Sequence, residues 1–546
     1  MRLLLLLFLF FSTSLHSFAQ ERAIPSEKPK LIVGIVVSGM RYDYLHRYWD
    51  MFGEGGYKAI ANKGTFCKNA HHDYLISEPS SGFASIVSGA YPDGHGIVSD
   101  YWYNRLRDEV VNSVFDPEVN TIGGAFAEGQ YSPFNPQTST LSDEVKINSK
   151  FASRVISISP DPQAAVISGG HAADAAYWYD NTSGRWITSN YYLDSLPVWL
   201  NDFNDKGLAD LYLQKTWEPL LSPENYSSSL ADNNGHENGI KGQKIFPYNL
   251  EILSSINRRE TDYAILSATP YGNTYTKDMA ITATVEEDLG KDDNTDFLFL
   301  NFAATAKAGK YFNSWSMEIQ DIYIRLDREI EHFLAFLNDE IGLNNVLIYL
   351  TAENATANEP SYLLEKKIPS GYFDYNASLT LLKAYLNVIY GKGDWIKFYY
   401  AKQIYLNTML IEDSKISLQE FEDRVARFMV QFEGVSKVLT SNDLMRNNYT
   451  KGVFEEIQKS FNQKRSGDII LHLSPGWIEK GIDRTYASSF HYDSHVPLIW
   501  YGWKTGRKEI SRKISVTDIM PTLNYFLDIS RSPSMQGVII QELVDL

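Results

Sequence analysis

The sequence is short of cysteine, of positive charge and of long apolar segments, and each shortage excludes a class of protein. The only cysteine among 546 residues is Cys67, so neither an internal disulfide framework nor a lipid-bearing cysteine after an export signal is available. Lys and Arg total 50 against 67 Asp and Glu, which gives a net charge of −17. Because nucleic-acid binding requires a basic surface, the sequence predicts no nucleic-acid partner.

The composition is otherwise that of a globular protein. Hydrophobic residues make up 44% of the chain and aromatic residues 14%, including 35 Tyr, 28 Phe and 11 Trp. These proportions exclude a disordered or collagen-like chain. At roughly 150 residues per domain, the length allows three or four domains or one large α/β domain with insertions.

The N-terminus has the pattern of a targeting signal. Arg2 precedes an apolar run, Leu3–Phe11, and a small-residue cleavage pattern follows that ends at Ala19. This predicts a cleaved signal peptide over residues 1–19 and a mature chain over residues 20–546. The apolar run is too short to span a bilayer and no later run is longer, so we expect no transmembrane segment in the mature chain. An exported chain with one cysteine favours the bacterial periplasm, with secretion as the weaker alternative.

Short continuous apolar runs, typical of strands buried on both faces of a parallel sheet, recur along the chain. Helical patterns lie between them, the clearest at Ile322–Ile341. Together they predict an open, mostly parallel α/β sheet with helices on both faces. Ligands of such sheets lie beyond the carboxyl ends of the strands. The predicted strands are Leu31–Val37, Ala164–Ser168, Phe297–Ala303, Val346–Ala352, Ile469–Leu473 and Pro497–Tyr501.

Residues 359–447 differ in amino-acid composition from the rest of the chain. They are rich in Tyr, Lys and Glu, with helical periodicity around Leu379–Tyr390 and Leu418–Phe432. We interpret them as an inserted α+β subdomain that lies over the sheet.

Six segments, spread over nearly the whole mature chain, form an ordered and specific pattern. They are LIVGIVVSGMRYDYL (31–45), SGFASIVSGAYPDGHGI (81–97), the segment 169–192, LTAENATA (350–357), HYDSHVPLIWYG (491–502) and ISVTDIMPTL (514–523). In this order they resemble the alkaline phosphatase superfamily. The similarity is greatest to its periplasmic phosphomonoesterase branch, which is related to the type I phosphodiesterases and nucleotide pyrophosphatases. The resemblance implies an alkaline-phosphatase-like fold.

The resemblance also implies a reaction and a site. Active members bind two Zn²⁺ through Asp and His ligands, and they attack phosphate with a Thr or Ser at a helix N-terminus. Position by position, this chain carries other residues. The metal-ligand positions hold Ser38, Ala306, Lys310, Glu353, Asn354 and Tyr486, the nucleophile position holds Pro79, and the phosphate-binding positions hold Asp100, Asp161 and Gln163.

Among these ten positions only Glu353 keeps a chemically suitable metal ligand, and one carboxylate does not hold two Zn²⁺. Asp100 and Asp161 replace neutral or cationic donors and would repel a phosphate dianion. The resemblance therefore predicts a pseudoenzyme without cofactors, which acts as a binding or scaffold protein for another envelope protein. We also expect the Lys310 ammonium to pair with Glu353, where active members hold a metal cation.

The alternative is an active, metal-dependent phosphomonoesterase or phosphodiesterase with a relocated site and two Zn²⁺. It would use Ser80 or Ser81 as the nucleophile and His491, Asp493 or Glu353 as metal ligands. The two serines also suit the capping of a helix, which we favour because no adjacent base would activate them. A third interpretation, phosphate-ester binding without hydrolysis, is opposed by Asp100 and Asp161.

The histidines give a weaker indication of a metal site. His491, Asp493 and His495 alternate, so on a strand they would share one face. Active members of the superfamily carry the Asp and the second His without using them as ligands, so we favour a structural role. His71 and His72 are neighbours that point in different directions, and we expect structural roles for them too.

Overall fold

The structure, a computed structural model, describes most of the mature chain. The predicted signal peptide and Tyr486 lie outside the described residues. No helix within those residues combines the length and apolarity that a bilayer crossing requires. The described ranges are 28–75, 78–125, 128–257, 260–481 and 490–545.

A large, mostly parallel sheet forms the centre of the fold, as predicted. Its five central strands run parallel, and antiparallel strands flank them on both sides. Among the described residues it has eleven strands. Their order is Lys508–Ile510, Thr65–His71, His495–Gly502, Val346–Thr351, Leu31–Val37, Asp296–Phe302, Val155–Ser159, Ala175–Tyr179, Trp186–Ser189 and Thr121–Ile122, with Ile514–Ser515 beside Thr65–His71.

Both faces of the sheet are covered. Leu31–Val37 and Asp296–Phe302 are buried at every residue, and successive side chains of a strand point to opposite faces. The helices that accompany the large sheet include Tyr42–Arg47, Tyr57–Lys63, Pro79–Ser88, Leu141–Asn148, Pro162–Gly169, Val198–Asp205, Leu208–Leu213, Pro270–Glu286, Ala304–Ala308, Met317–Glu340 and Ile519–Leu527.

The longest helix confirms the clearest helical prediction. It spans Met317–Glu340 and contains the predicted apolar stripe, of which Ile322, Leu326 and Phe333 are fully buried. The helix begins after Ser316, whose hydroxyl accepts a hydrogen bond from the Ile319 backbone N–H at 3.1 Å. This is the N-cap arrangement that satisfies a free donor of the first turn.

One predicted strand is wrong. Ala164–Ser168 lies in the helix Pro162–Gly169, and the strand of this unit is Val155–Ser159, immediately before it. The apolar run is buried at every position in the helix, and periodicity does not separate a short buried helix from a buried strand. Pro162 at the first helical position is the local signal for a helix start.

A second, four-stranded sheet lies outside the large one. Its helices Tyr375–Tyr390 and Leu418–Met429 confirm the two predicted helical patterns, and its own core includes Phe421 and Leu471. The strand Ile469–Leu473 is confirmed as a strand, but it belongs to this small sheet and not to the large one. The order is Ile396–Tyr400, Gln403–Leu406, Ile469–Leu473 and Val435–Thr440.

Candidate functional site

A cavity of about 220 Å³ lies beyond the carboxyl ends of the parallel strands. Ser38 follows the strand Leu31–Val37, and Glu353 follows Val346–Thr351. Loops from separate strands therefore meet there, as the topology of an open α/β sheet requires. Eight of the ten matched positions line the cavity, namely Ser38, Pro79, Asp100, Asp161, Gln163, Ala306, Lys310 and Glu353.

One further matched position, Asn354, is not among the lining residues. It is buried, with 1% of its surface exposed. Tyr486 falls outside the described residues. The structure therefore brings together residues that lie more than 300 positions apart in sequence.

A carboxylate occupies the N-terminus of the helix Pro79–Ser88. The Ser80 backbone N–H donates a hydrogen bond to Asp100 Oδ1 at 2.9 Å. Pro79, at the first position of the helix, has no N–H to offer. A helix N-terminus favours an anion, through its free N–H groups and its dipole. Here the protein itself supplies that anion.

The hydroxyl groups of the two serines beside Pro79 form hydrogen bonds with neighbouring protein atoms. Ser80 Oγ shares a hydrogen bond with Ser113 Oγ at 2.8 Å, and Ser81 Oγ donates to the Glu78 carbonyl at 2.9 Å. Both serines are fully buried and neither lines the cavity. The geometry therefore gives no support to a relocated serine nucleophile.

Glu353 is a buried carboxyl group with an unsatisfied oxygen. Only 1% of the residue is exposed, and its Oε2 meets no hydrogen-bond partner among the residues described. Burial raises the pKa of Glu353 to about 8, and the nearby Asp161 charge acts in the same direction. Its neighbour Ser38 accepts a hydrogen bond from Asn301 Nδ2 at 2.8 Å. At neutral pH the carboxyl group is therefore mostly protonated.

The expected ion pair between Lys310 and Glu353 is wrong. Among the described residues no ion pair joins them, and Lys310 lies at the exposed rim of the cavity. Lys307, another cation of the cavity, has its Nζ 2.5 Å from Asp161 Oδ1. Lys307 lies within the short helix Ala304–Ala308, whereas Lys310 lies beyond its C-terminal end.

The sequence analysis also missed several residues of the site. Phe83, Tyr101, Lys307 and Tyr400 line the cavity. Glu78 lies buried beneath it, and burial together with the Asp100 charge holds the pKa of Glu78 well above its usual range. The sequence offered a signal for Glu78, because this residue directly precedes Pro79 at the matched nucleophile position. Nothing in the sequence placed Tyr400, which the small sheet contributes.

The residues present do not fit the two-metal centre that the superfamily implies. A Zn²⁺ ion requires about four N, O or S ligands. Among the described residues at the matched ligand positions, Ser38 and Glu353 are the only oxygen donors that line the cavity, and Ala306 presents a methyl group.

The segment His491–Asp493–His495 does not form one strand face. His491–Ser494 is a short helix, and the strand His495–Gly502 begins after it. Asp493 Oδ1 lies 4.0 Å from Arg41 Nη1. One ring nitrogen each of His71, His491 and His495 lies within 4.8 Å of the others.

Taken together, the fold and the cavity define a class of protein: an open α/β protein with its ligand site beyond the carboxyl ends of parallel strands. The family model described as type I phosphodiesterase / nucleotide pyrophosphatase matches residues 32–489. The chain therefore belongs to this family, within the alkaline phosphatase superfamily.

Similar proteins cover nearly the full length of the chain. A protein described as a calcium-transporting ATPase from Myroides odoratus is 35% identical over 536 residues, which is 97% of each chain. Alkaline phosphatase PafA from Elizabethkingia meningoseptica is 33% identical and covers 96% of each chain. The crystal structure of wild-type alkaline phosphatase PafA superposes with a TM-score of 0.90 at 32% identity, over 95% of this chain and 99% of that one.

Proposed function

We propose that this protein is a non-hydrolytic member of its family, which acts in the periplasm as a binding or scaffold protein for another envelope protein. No cofactor takes part in this role. The observation that carries the proposal is the hydrogen bond from the Ser80 N–H to the Asp100 carboxylate, because it fills the helix N-terminus that would receive a phosphate.

The charges of the cavity support the proposal. The Asp100 carboxylate lies at the helix N-terminus, and Lys307 is already paired with Asp161. A phosphate dianion at the helix N-terminus would meet the Asp100 charge, and repulsion between close charges is strong where water is excluded.

Polar contacts hold the loops of the cavity without a metal ion. Asn301 Nδ2 donates to Ser38 Oγ at 2.8 Å, and the Thr305 hydroxyl donates to the Ser38 carbonyl at 2.5 Å. The Thr356 hydroxyl donates to the Gly39 carbonyl at 2.8 Å. These bonds join three loops that follow three different strands, so the architecture is compatible with a site that has no ions to organise it.

The decisive experiment is an assay of hydrolysis. The purified mature protein is incubated with an aryl phosphate monoester and an aryl phosphate diester, with and without Zn²⁺. We expect rates equal to the buffer rate for the wild type, Ser80→Ala and Ser81→Ala alike. Zn²⁺-dependent turnover that either serine substitution abolishes would establish the active alternative and overturn the proposal.

The binding role has its own test. We expect the protein in periplasmic extract to elute from a sizing column in a complex larger than the purified chain. Elution at the same volume as the purified chain would count against a stable envelope partner.

A further inference from the structure

Three imidazole rings meet at the same edge of the large sheet as the cavity, on its antiparallel flank. His71 ends the strand Thr65–His71, His495 begins the strand His495–Gly502, and the two residues face each other in the register of this strand pair. His491 approaches from the short helix before the second strand. We propose that His71, His491 and His495 bind one divalent transition-metal ion of the Zn²⁺ class.

The rings are close enough for a shared ion. The centroid of His71 lies 4.0 Å from that of His491 and 4.5 Å from that of His495, and the three candidate ligand nitrogens lie within 4.8 Å of one another. Two nitrogens bound to a tetrahedral Zn²⁺ at about 2.1 Å stand about 3.4 Å apart.

Hydrogen bonds from the surrounding chain orient two of the rings. His495 Nε2 lies 2.9 Å from the Lys68 carbonyl, which only accepts, so Nε2 carries the proton and Nδ1 keeps its lone pair. His71 Nε2 lies 2.7 Å from Asn69 Oδ1, which leaves the His71 Nδ1 lone pair beside Ser494 Oγ at 3.2 Å. Metal-bound histidines are held in this way, with the second ring nitrogen donating to a carbonyl or amide oxygen.

The three side chains are of the type that this class of ion prefers. Neutral imidazole is the ligand that Zn²⁺, Co²⁺, Ni²⁺ and Cu²⁺ accept.

Packing accounts for two of the three histidines and not for the third. His71 and His495 are part of the sheet, and Tyr42 stacks on His495 with centroids 4.0 Å apart. His491 is exposed, yet its ring lies edge-on to His71. Its exposed side leaves a fourth coordination position open to water, which is the arrangement of a three-histidine site.

This cluster is separate from the cavity. None of its residues lines the cavity. In the part of the chain that the structure describes, it is the one group of three His, Cys, Asp or Glu side chains near enough to share an ion. The inference therefore stands whether or not the protein hydrolyses phosphate esters.

The test is a titration of the chelator-treated mature protein with Co²⁺, followed by visible absorption and by competition with Zn²⁺. We expect one equivalent of Co²⁺ to bind with the absorption of a nitrogen-ligated ion. His491→Ala should weaken binding by at least about tenfold, because it removes one ligand from a surface position where the fold does not depend on it. His332→Ala, which removes another exposed histidine from the helix Met317–Glu340, is the matched control and should bind Co²⁺ like the wild type.

Two results would overturn the inference. One is an absence of saturable Co²⁺ and Zn²⁺ binding to the wild type. The other is binding that His491→Ala leaves intact and Glu353→Gln removes, because the ion would then occupy the cavity. The second result would also contradict the proposed absence of a metal cofactor, whereas the first would leave that proposal in place.

Discussion

Gly82 packs against the backbone carbonyl of Glu353 so closely that a Cβ at this position would stand 2.1 Å from that oxygen. Gly82 lies in the first turn of the helix Pro79–Ser88, and Glu353 lies in the loop after the strand Val346–Thr351. The contact fixes the helix N-terminus against the loop that supplies the buried carboxyl group. A glycine is required here by the close approach of two backbones and not by a turn.

Gly82→Ala is therefore expected to destabilise the protein. Alanine is favoured over glycine in a helix by about 1 kcal/mol. The added methyl group, however, would clash with the Glu353 backbone, which does not move easily. We expect a net loss of about 1–3 kcal/mol in the free energy of unfolding, measured by urea denaturation. Gly235→Ala, where no atom lies within 4 Å of the new Cβ, is the control and should change stability by less than about 0.5 kcal/mol. Equal stabilities of the two variants would contradict the contact.

Glu353 makes stability depend on pH in a definite direction. The pKa of Glu353 is about 8 in the folded protein, against an ordinary value of 4.5. Between these values the folded state holds a proton that the unfolded state has released, so the free energy of unfolding falls as pH rises. The contribution is complete below about pH 4.5 and is lost as pH passes through about 8.

Glu353→Gln should remove this part of the pH dependence. One pKa unit corresponds to about 1.4 kcal/mol, so the difference in unfolding free energy between the variant and the wild type should change by a few kcal/mol from pH 5 to pH 9. The variant gains relative to the wild type at the alkaline end. Glu54→Gln, at an exposed position, is the control and should run parallel to the wild type. A Glu353→Gln curve that also stays parallel would show that the carboxyl group is ionised in the folded protein.

The sequence was sufficient for the position of the site. Ser38 and Glu353 follow continuous apolar runs, and such runs end where parallel strands end, so both residues had to reach the same edge of the sheet. The same rule gave the wrong prediction for Ala164–Ser168, which is a helix and not a strand. A short run of buried residues, four of them apolar, fits a strand or a short helix equally well, and Pro162 is the signal that favours the helix.

Other parts of the site depend on long-range geometry that no local pattern encodes. Lys307 rather than Lys310 pairs with Asp161 because a short helix sets the direction of each side chain. Tyr400 reaches the cavity because the small sheet lies over it. His71 lies more than 400 residues from His495, and the register of two antiparallel strands brings them together.

Removal of the signal peptide gives a prediction from the sequence alone. Cleavage after Ala19 leaves Gln20 at the N-terminus of the mature protein. Intact-mass analysis of the protein from the periplasmic fraction should give the mass of residues 20–546. Replacement of Leu5 and Leu6 by Arg interrupts the apolar run and should leave the full-length chain in the cytoplasm. Full-length protein in the periplasm would contradict the predicted cleavage.

Asp100→Asn should admit phosphate to the helix N-terminus. Asparagine Oδ1 still accepts the hydrogen bond from the Ser80 N–H, but the negative charge is gone. Loss of a charge at a helix N-terminus costs about 0.3–1 kcal/mol of stability, so the variant remains folded. We expect calorimetric titration to detect no binding of inorganic phosphate to the wild type and weak binding to Asp100→Asn. Asp50→Asn, at an exposed position, is the control and should behave like the wild type.

Asp161→Asn should strengthen that binding when it is combined with Asp100→Asn. Asp161 now neutralises Lys307 at 2.5 Å, and both residues line the cavity. Without the Asp161 charge, the Lys307 ammonium faces the cavity as a free cation. The substitution removes no helix cap, because the Asp161 side chain makes no capping hydrogen bond to the helix Pro162–Gly169.

The double variant distinguishes charge from shape as the reason that phosphate is excluded. If charge excludes it, the phosphate affinity of the double variant should exceed that of Asp100→Asn by about tenfold, which is about 1.4 kcal/mol. Adding Lys307→Met to the double variant should cancel this gain, because the free cation is its source. A double variant that binds no better than Asp100→Asn would mean that Lys307 does not reach the bound anion. Binding by none of the variants would mean that the packing around Pro79 and Phe83, and not the carboxylates, closes the site to phosphate.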